Sequence, residues 1–486
     1  MPQQLPSPTE QWIARYEHAV ALAQSGNALR AEHELRKLLS EHPGHAQASF
    51  FLANVLSTQS RFNAAAKVIE TFVANSSDAS AIYESSRMLE QYRHVDAALA
   101  VLERALLISQ SIRAEVLSEL RFQAGRLALS LGDFGKARTL LTAALEFAPP
   151  LLERHILHAL STSLRYTDRA HPDIALFRSR ANDSSASDES KASALFALAK
   201  AYDDIDDTHA AAAAWRRANA LVSRHSAWSS KSWRRFVKSR LQSAPPPALP
   251  TRYDFSPIFI VGLPRTGTTL VSEILSRHPD VTARGELTWI EHFAKQLMQH
   301  DQYGESSALR SAASVYAAQL VRDDPLTRWY IDKQPLNFRY LDLVAALFPD
   351  AKIVHCVRGE RDTALSIWGQ YFAGTDGGFA YDFACIAEVM RDCDRLMLHW
   401  AAHLPLAIHT VHYEDVVEKP EQTVAALENF LDLPPFDLLA ARAKNGAAIQ
   451  TASVWQVRQP IYHRSVGRWR AYEHLIPELT QFRAER

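Results

Sequence analysis

The chain has 486 residues, enough for two to three domains at the usual size of about 150 residues each. Hydrophobic residues make up 47% and charged residues 22%, a globular composition that excludes wholesale disorder. The 54 acidic and 53 basic residues leave a net charge of -1, which argues against binding nucleic acid over the whole chain.

The opening MPQQLPSPTEQW has neither a basic stretch nor an apolar one, so no signal peptide is expected. No apolar run approaches the ~18 residues of a membrane span. From Pro8 to about Leu241, apolar residues recur at three- and four-residue spacing, which predicts helix after helix. A small turn residue followed five positions later by Ala recurs: Gly26 and Ala31, Gly132 and Ala137, Asp207 and Ala212. Ala65 falls 34 residues after Ala31, and Ala98 falls 33 after Ala65. Two-helix units are expected at about 12–45, 46–78, 79–111 and 117–150, with a poorer one at 191–225. The insert Asp183 to Ser190 is expected to be a loop. This period resembles the tetratricopeptide repeat (TPR), in which stacked helix pairs form a solenoid. The resemblance implies a protein or peptide ligand on the concave face.

The run SAPPPALP, 243–250, holds four prolines in eight residues and cannot continue a helix. It predicts a linker between a helical domain at 1–242 and a second domain at 251–486. Beyond it, strands and helices alternate, which predicts an α/β layer with a parallel sheet.

PIFIV (Pro257 to Val261) predicts a buried strand, GLPRTGTT (Gly262 to Thr269) a phosphate-binding turn, and the following apolar-periodic segment a helix ending at Pro279. Gly262 and Gly267 have the P-loop spacing, but Thr268 stands where a nucleoside triphosphatase has its Lys. The cation of this turn is Arg265, and no convincing Walker-B Asp follows. A single 5′-phosphate suits such a loop better than a triphosphate. Lys352 to Val357 predicts a second strand, with Arg358 at its carboxyl end, Asp362 as the cap of the next helix, and Ser366 on that helix. Two anion holders on adjacent strands imply a ligand with two separated phosphates.

From Pro257 to Trp469 these features resemble the sulfotransferases that use 3′-phosphoadenosine 5′-phosphosulfate (PAPS), most nearly the branch of protein-tyrosine sulfotransferases and bacterial TPR-linked enzymes. The resemblance implies that Arg265, Thr266, Gly267, Thr268 and Thr269 hold the 5′-phosphosulfate, and that Arg358 and Ser366 hold the 3′-phosphate. In RGELTWI it implies that Glu286 is the catalytic base. In DKQPLNFRY it implies that Lys333 steadies the transferring sulfonate. It implies cofactor contacts for Tyr413 and Arg468, and a transition-state contact for Ser453. Gln370 departs from the tyrosylprotein enzymes, which carry Arg there, and Gly359-Glu360 departs from their usual Asp-Pro or Asn-Pro. The implied reaction needs no metal. Its acceptor is a hydroxyl group: a tyrosine, small phenol, sugar or lipid.

His399 and His403 lie four apart, but no third metal ligand is placed beside them. SKSWRRFVK (Ser230 to Lys238) predicts an amphipathic capping helix, and His355 a core histidine. Cys356, Cys385 and Cys393 fit neither a disulfide framework nor a zinc pattern, so a cytoplasmic protein is expected. The competing reading is a TPR scaffold with a non-catalytic nucleotide-binding domain.

Overall fold

The computed structural model describes residues 8–108, 113–250, 252–372, 377–440 and 463–484. The chain divides into two compact units, Met1–Phe147 with Ala317–Pro325, and Ala148–Tyr316 with Leu326–Arg486.

The first unit contains α1 (Pro8–Gln24), α2 (Ala28–Glu41), α3 (Ala46–Thr58) and α4 (Phe62–Ala74). It continues with α5 (Ala79–Gln91), α6 (Val95–Ile108), α7 (Ala114–Leu131) and α8 (Phe134–Ala144). Each helix packs on its neighbours in sequence. Ala31, Ala65, Ala98 and Ala137, on the second helix of successive pairs, are fully buried. A methyl group at these contacts lets neighbouring backbones approach, and a larger side chain would overpack them. Turn chemistry sets the ends. Gly132 takes the left-handed conformation (φ 83°) that stops α7, and Asp133 then caps α8 by accepting from Lys136 N at 3.0 Å. α4 has no such cap of its own. The Asp323 carboxylate instead accepts from the backbone N–H groups of Asn63 and Ala64, each at 2.8 Å.

The second unit opens with α9 (Pro150–Thr162), α10 (Pro172–Ala181), α11 (Asp188–Asp204), α12 (Thr208–Ser223) and α13 (Ser230–Gln242). The insert at 183–190 is only half a loop. Ser187 caps α11 by accepting from Ser190 N, and Asp188 and Glu189 complement the positive end of the helix. α13 buries Trp233, Val237 and Arg240. Its Trp233 Nε1 donates to Asp392 at 3.0 Å, and Arg240 pairs with Asp342 at 2.9 Å. Both charges of that pair are buried, so removing either alone costs roughly 3–5 kcal/mol. The Pro-rich run 243–250 lies inside this unit, without regular structure.

Then follow β1 (Ser256–Gly262), α14 (Thr268–Ser276), β2 (Val281–Ala283), α15 (Trp289–Gln299), α16 (Ser306–Val321) and β3 (Trp329–Asp332). After them come α17 (Leu341–Leu347), β4 (Lys352–Val357), α18 (Glu360–Trp368) and α19 (Phe383–His403). The last elements are β5 (Ala407–His412), α20 (Tyr413–Glu418) and α21 (Pro420–Leu431). Among the described residues, the strands form one parallel sheet in the order β2-β3-β1-β4-β5. Ile258, Ile260, Ile331 and Val354 bury one face against Val271 and Leu275 of α14. Phe259 and Val261 are equally buried on the opposite face. Burial on both faces explains why β1 reads as a continuous apolar run and not as an alternating one. Each such Ile or Val contributes roughly 1.5–3 kcal/mol. Among the described residues, no helix is long and apolar enough to cross a membrane.

Candidate functional site

In a parallel sheet every strand ends on the same edge, so the loops after β1 to β5 share one rim. Strand order reverses at β1, which has β3 on one side and β4 on the other. Ligands of open α/β sheets gather at such a point.

The loop after β1 is shaped by its glycines. Gly262 has φ 143°, and a Cβ there would lie 2.3 Å from the Cys356 carbonyl oxygen of β4. Gly267 has φ 94° and precedes α14, and its Cβ would meet Tyr413 at 2.8 Å. Both positions need a residue without a side chain. No side chain caps α14, so its first backbone N–H groups face the turn with the positive end of the helix dipole. Thr266, Thr268 and Thr269 are buried around this turn. Arg265 adopts φ 72°, a conformation costing about 1–3 kcal/mol for a residue with a side chain. Its partners hold it there: Arg265 Nε donates to Ser366 Oγ at 3.0 Å, and its carbonyl accepts from Arg358 Nη1 at 3.2 Å.

The structure thus brings the two segments expected to hold anions into direct contact. Arg358 also donates to the Ser465 carbonyl and lies 4.8 Å over the Tyr413 ring. Its Nε is buried with no hydrogen-bond partner among the described residues. Asp362 does not cap α18, which starts two residues earlier at Glu360. It accepts instead from the backbone N–H groups of Gly467 (2.6 Å) and Trp469 (3.0 Å), which anchors the segment carrying Arg468. Burial raises its pKa, while Arg358 opposes the rise. Gly359 N donates to Glu414 at 2.9 Å, joining the loops after β4 and β5.

On the other side of β1 lie the loops after β2 and β3. Lys333, only 2% exposed, pairs with Glu286, whose side chain is 37% exposed. A buried ammonium needs such a partner. Next to it Asp332 is fully buried and accepts from Tyr316 Oη, Asn337 Nδ2 (2.9 Å) and Leu287 N (3.2 Å). Burial pushes the Asp332 pKa up to about 7, with those hydrogen bonds and Lys333 opposing it. Asp332 therefore ties the Glu286 segment to the end of β3.

A cavity of about 290 Å³ opens between the β1 and β4 loops, lined by Arg265, Gly267, Thr268, Thr269, Arg358 and Ser366. Tyr413 and Arg468 line it too, as does Gln370, whereas Glu286 and Lys333 lie outside it. Thr266 is not among the lining residues, and its hydroxyl donates to the Leu263 carbonyl at 2.7 Å. Ser453 lies outside the described residues. Burial lowers the His355 pKa to about 4 and raises that of Cys356 to about 12, so both are neutral near pH 7. Neither belongs to the chemistry of the rim. Among the described residues, no group of three or more His, Cys, Asp or Glu side chains is placed to hold a metal.

Sequence reasoning missed Asp332, Tyr316, Asn337 and Glu414. An Asp at the end of an apolar strand, five residues before Asn337, was a usable signal for the first. Tyr316 and Glu414 carried none.

Residues 257–437 match the model of the sulfotransferase family, so the chain carries a sulfotransferase family domain. An uncharacterized protein of Aquifex aeolicus is 33% identical over 245 residues, covering 47% of this chain and 32% of that protein. The protein-tyrosine sulfotransferase of Drosophila melanogaster is 28% identical over 245 residues, covering 44% of this chain and 46% of that protein. The chain therefore spans about a third of the first relative and just under half of the second. Among solved structures, the sulfotransferase domain from the curacin biosynthetic pathway is 18% identical, with a TM-score of 0.33 over 47% of this chain and 99% of that one.

Proposed function

We propose that the protein transfers a sulfonate group from PAPS to a hydroxyl acceptor, and that its N-terminal helices form a TPR-like solenoid which binds a protein or peptide. One observation carries the catalytic part: the Arg265 turn and the Arg358–Ser366 segment touch, on the rim that also carries Glu286 and Lys333. The residues present fit the donor. The uncapped start of α14 after Gly267 offers backbone N–H groups to an anion, and Arg358 Nε is a buried donor with no hydrogen-bond partner among the described residues.

The donor supplies an activated sulfonate on a nucleotide phosphate, already a good leaving group. The chain supplies position and charge. The α14 N-terminus, the threonine hydroxyls and Arg265 hold the 5′ side, while Arg358 and Ser366 hold the 3′-phosphate. Tyr413 supports the Arg358 guanidinium through its ring face. Lys333 faces the charge that spreads over the sulfonate oxygens, as phosphoryl-transfer enzymes use their cations.

Glu286 takes the acceptor's proton. A carboxylate near pKa 4.3 and a phenol near 10 differ by about six units, or about 8 kcal/mol, so the proton moves late, as the bond to sulfur forms. The Lys333–Glu286 pair couples the two events. When Glu286 gains the proton, the Lys333 ammonium loses its carboxylate and is released toward the sulfonate. An aliphatic alcohol is a weaker acid than a phenol, which favours a phenolic acceptor such as tyrosine.

The recurring buried alanines support the repeat reading of the helices. The three cysteines are free thiols, which supports a reducing, cytoplasmic setting. The test is a thermal-shift comparison of adenosine 3′,5′-bisphosphate (PAP), ATP–Mg²⁺ and buffer. PAP at a hundredfold above its Kd contributes about 2.7 kcal/mol, a rise of about 3–4 °C for a unit of this size. Stabilisation by ATP–Mg²⁺ instead, or by neither, defeats the reading.

A further inference from the structure

One wall of the cavity comes from helices that the sulfotransferase resemblance does not reach. Lys200 and Asp203 near the end of α11, and Trp215 on α12, line it together with Arg265 and Arg358. Both helices belong to the same compact unit as the sheet. They are fastened at several points. The Asn219 side chain donates to the Trp368 carbonyl at 3.1 Å. Trp215 packs so near Gly369 that a Cβ there would come within 3.1 Å of the indole. The Trp215 ring also lies 5.4 Å from that of Tyr472, which is 1% exposed.

The polar contact at this wall is specific. The Asp203 carboxylate pairs with the Arg468 guanidinium and accepts from the Tyr472 hydroxyl. Asp203 is mostly buried, with a side chain 14% exposed, whereas that of Arg468 is 36% exposed. An acid beside an anion-binding cavity repels its ligand unless it is neutralised and put to another use. Here it is neutralised by a cation that lines the same cavity. A guanidinium on a flexible stem carries about 2 kcal/mol of rotamer entropy, and a carboxylate fixed on a helix removes part of that cost in advance. The five N–H donors of Arg can engage a carboxylate on one edge and a phosphate on the other.

We propose that Asp203 is a positioning residue for the co-substrate: it holds Arg468 toward the nucleotide and so makes the α11–α12 hairpin a required wall of the binding site. The inference rests on the PAPS reading given above.

The experiment is isothermal titration of PAP into the full chain, with steady-state kinetics on PAPS. Asp203→Asn keeps an acceptor for Tyr472 but loses the charge. It is expected to weaken PAP binding about tenfold, the scale seen when a partner that orients a metal ligand is removed. KM for PAPS should rise in step while kcat stays near wild type. The double variant Asp203→Asn/Arg468→Ala should bind no more weakly than Arg468→Ala alone, because Asp203 acts through Arg468. Tyr472→Phe, which keeps the ring packing and the Asp203–Arg468 pair but removes the hydroxyl's hydrogen bond to Asp203, should weaken PAP binding less than Asp203→Asn. Should the Asn variant fail to fold, Asp203→Glu displaces the carboxylate by one methylene and is expected to weaken PAP binding to a smaller extent. Wild-type affinity in the Asp203 variant studied, or additive losses in the double variant, overturns this inference alone. Wild-type protein that binds no PAP overturns the donor reading and this inference together.

Discussion

Lys333 and Glu286 carry opposite charges at a site where one is buried and the other half-exposed. Their pairing predicts a division of labour that kinetics can separate. Glu286→Gln removes the proposed proton acceptor while leaving the cavity lined by Arg265, Arg358 and Ser366 in place. It is expected to lower kcat at least a hundredfold, the lower range for general-base catalysis, with PAP affinity near wild type. Arg358→Ala should do the opposite, raising KM for PAPS more than it lowers kcat, because a half-buried guanidinium whose Nε has no partner among the described residues is lost from the binding side. A fully active Gln variant removes the base assignment, and an unchanged KM removes the 3′-phosphate assignment. Of these candidates, Arg265, Arg358 and Ser366 were legible in the sequence because each follows a strand or sits on the next helix, whereas Glu286 and Lys333 entered only through the family resemblance. The partner each one finds was not.

The β1–α14 turn works as an element because backbone, not side chain, fills its centre. Gly267→Ala places a methyl group in a left-handed conformation and 2.8 Å from the Tyr413 ring. Strain of about 1–2 kcal/mol at that φ is expected together with displacement of Tyr413, and with it the support under Arg358. The measurable outcome is a lowered Tm and a loss of PAP affinity in the same variant. An Ala variant with wild-type affinity would show that the turn does not hold the ligand. Asp362 teaches the complementary lesson. Position and residue type predicted a helix cap, but the helix begins earlier and the carboxylate serves the Gly467–Trp469 backbone. An Asp near a helix start can satisfy any N–H group within reach, and which one it meets depends on a segment about a hundred residues away.

At the scale of the whole molecule, buried charge sets a pH dependence. Asp332 binds its proton up to about pH 7 in the folded chain, against 3.8 for the unperturbed group. The folded state therefore holds more protons than the unfolded state between these values. The contribution of Asp332 to stability is fully present below about pH 3.8 and falls as pH rises through about 7. Asp332→Asn should remove that slope, so the Tm difference between variant and wild type should shift in favour of the variant from pH 5 to pH 8. A difference that is flat with pH would mean that Asp332 is already ionised at pH 5 in the folded protein.

The sequence alone determined the helical region followed by a parallel α/β layer, and the glycine turn between β1 and α14. These are local matters: apolar period, glycine spacing and proline placement act within a few residues. Tertiary structure decided what no local pattern encodes. It placed α9–α13 in the same compact unit as the sheet, and it set Asp203 against Arg468, 265 positions along the chain. It also buried Asp332 beneath the Glu286 segment. Such contacts depend on packing between distant elements, and a single charged residue looks the same in sequence whether it meets water, a cation or a buried hydroxyl.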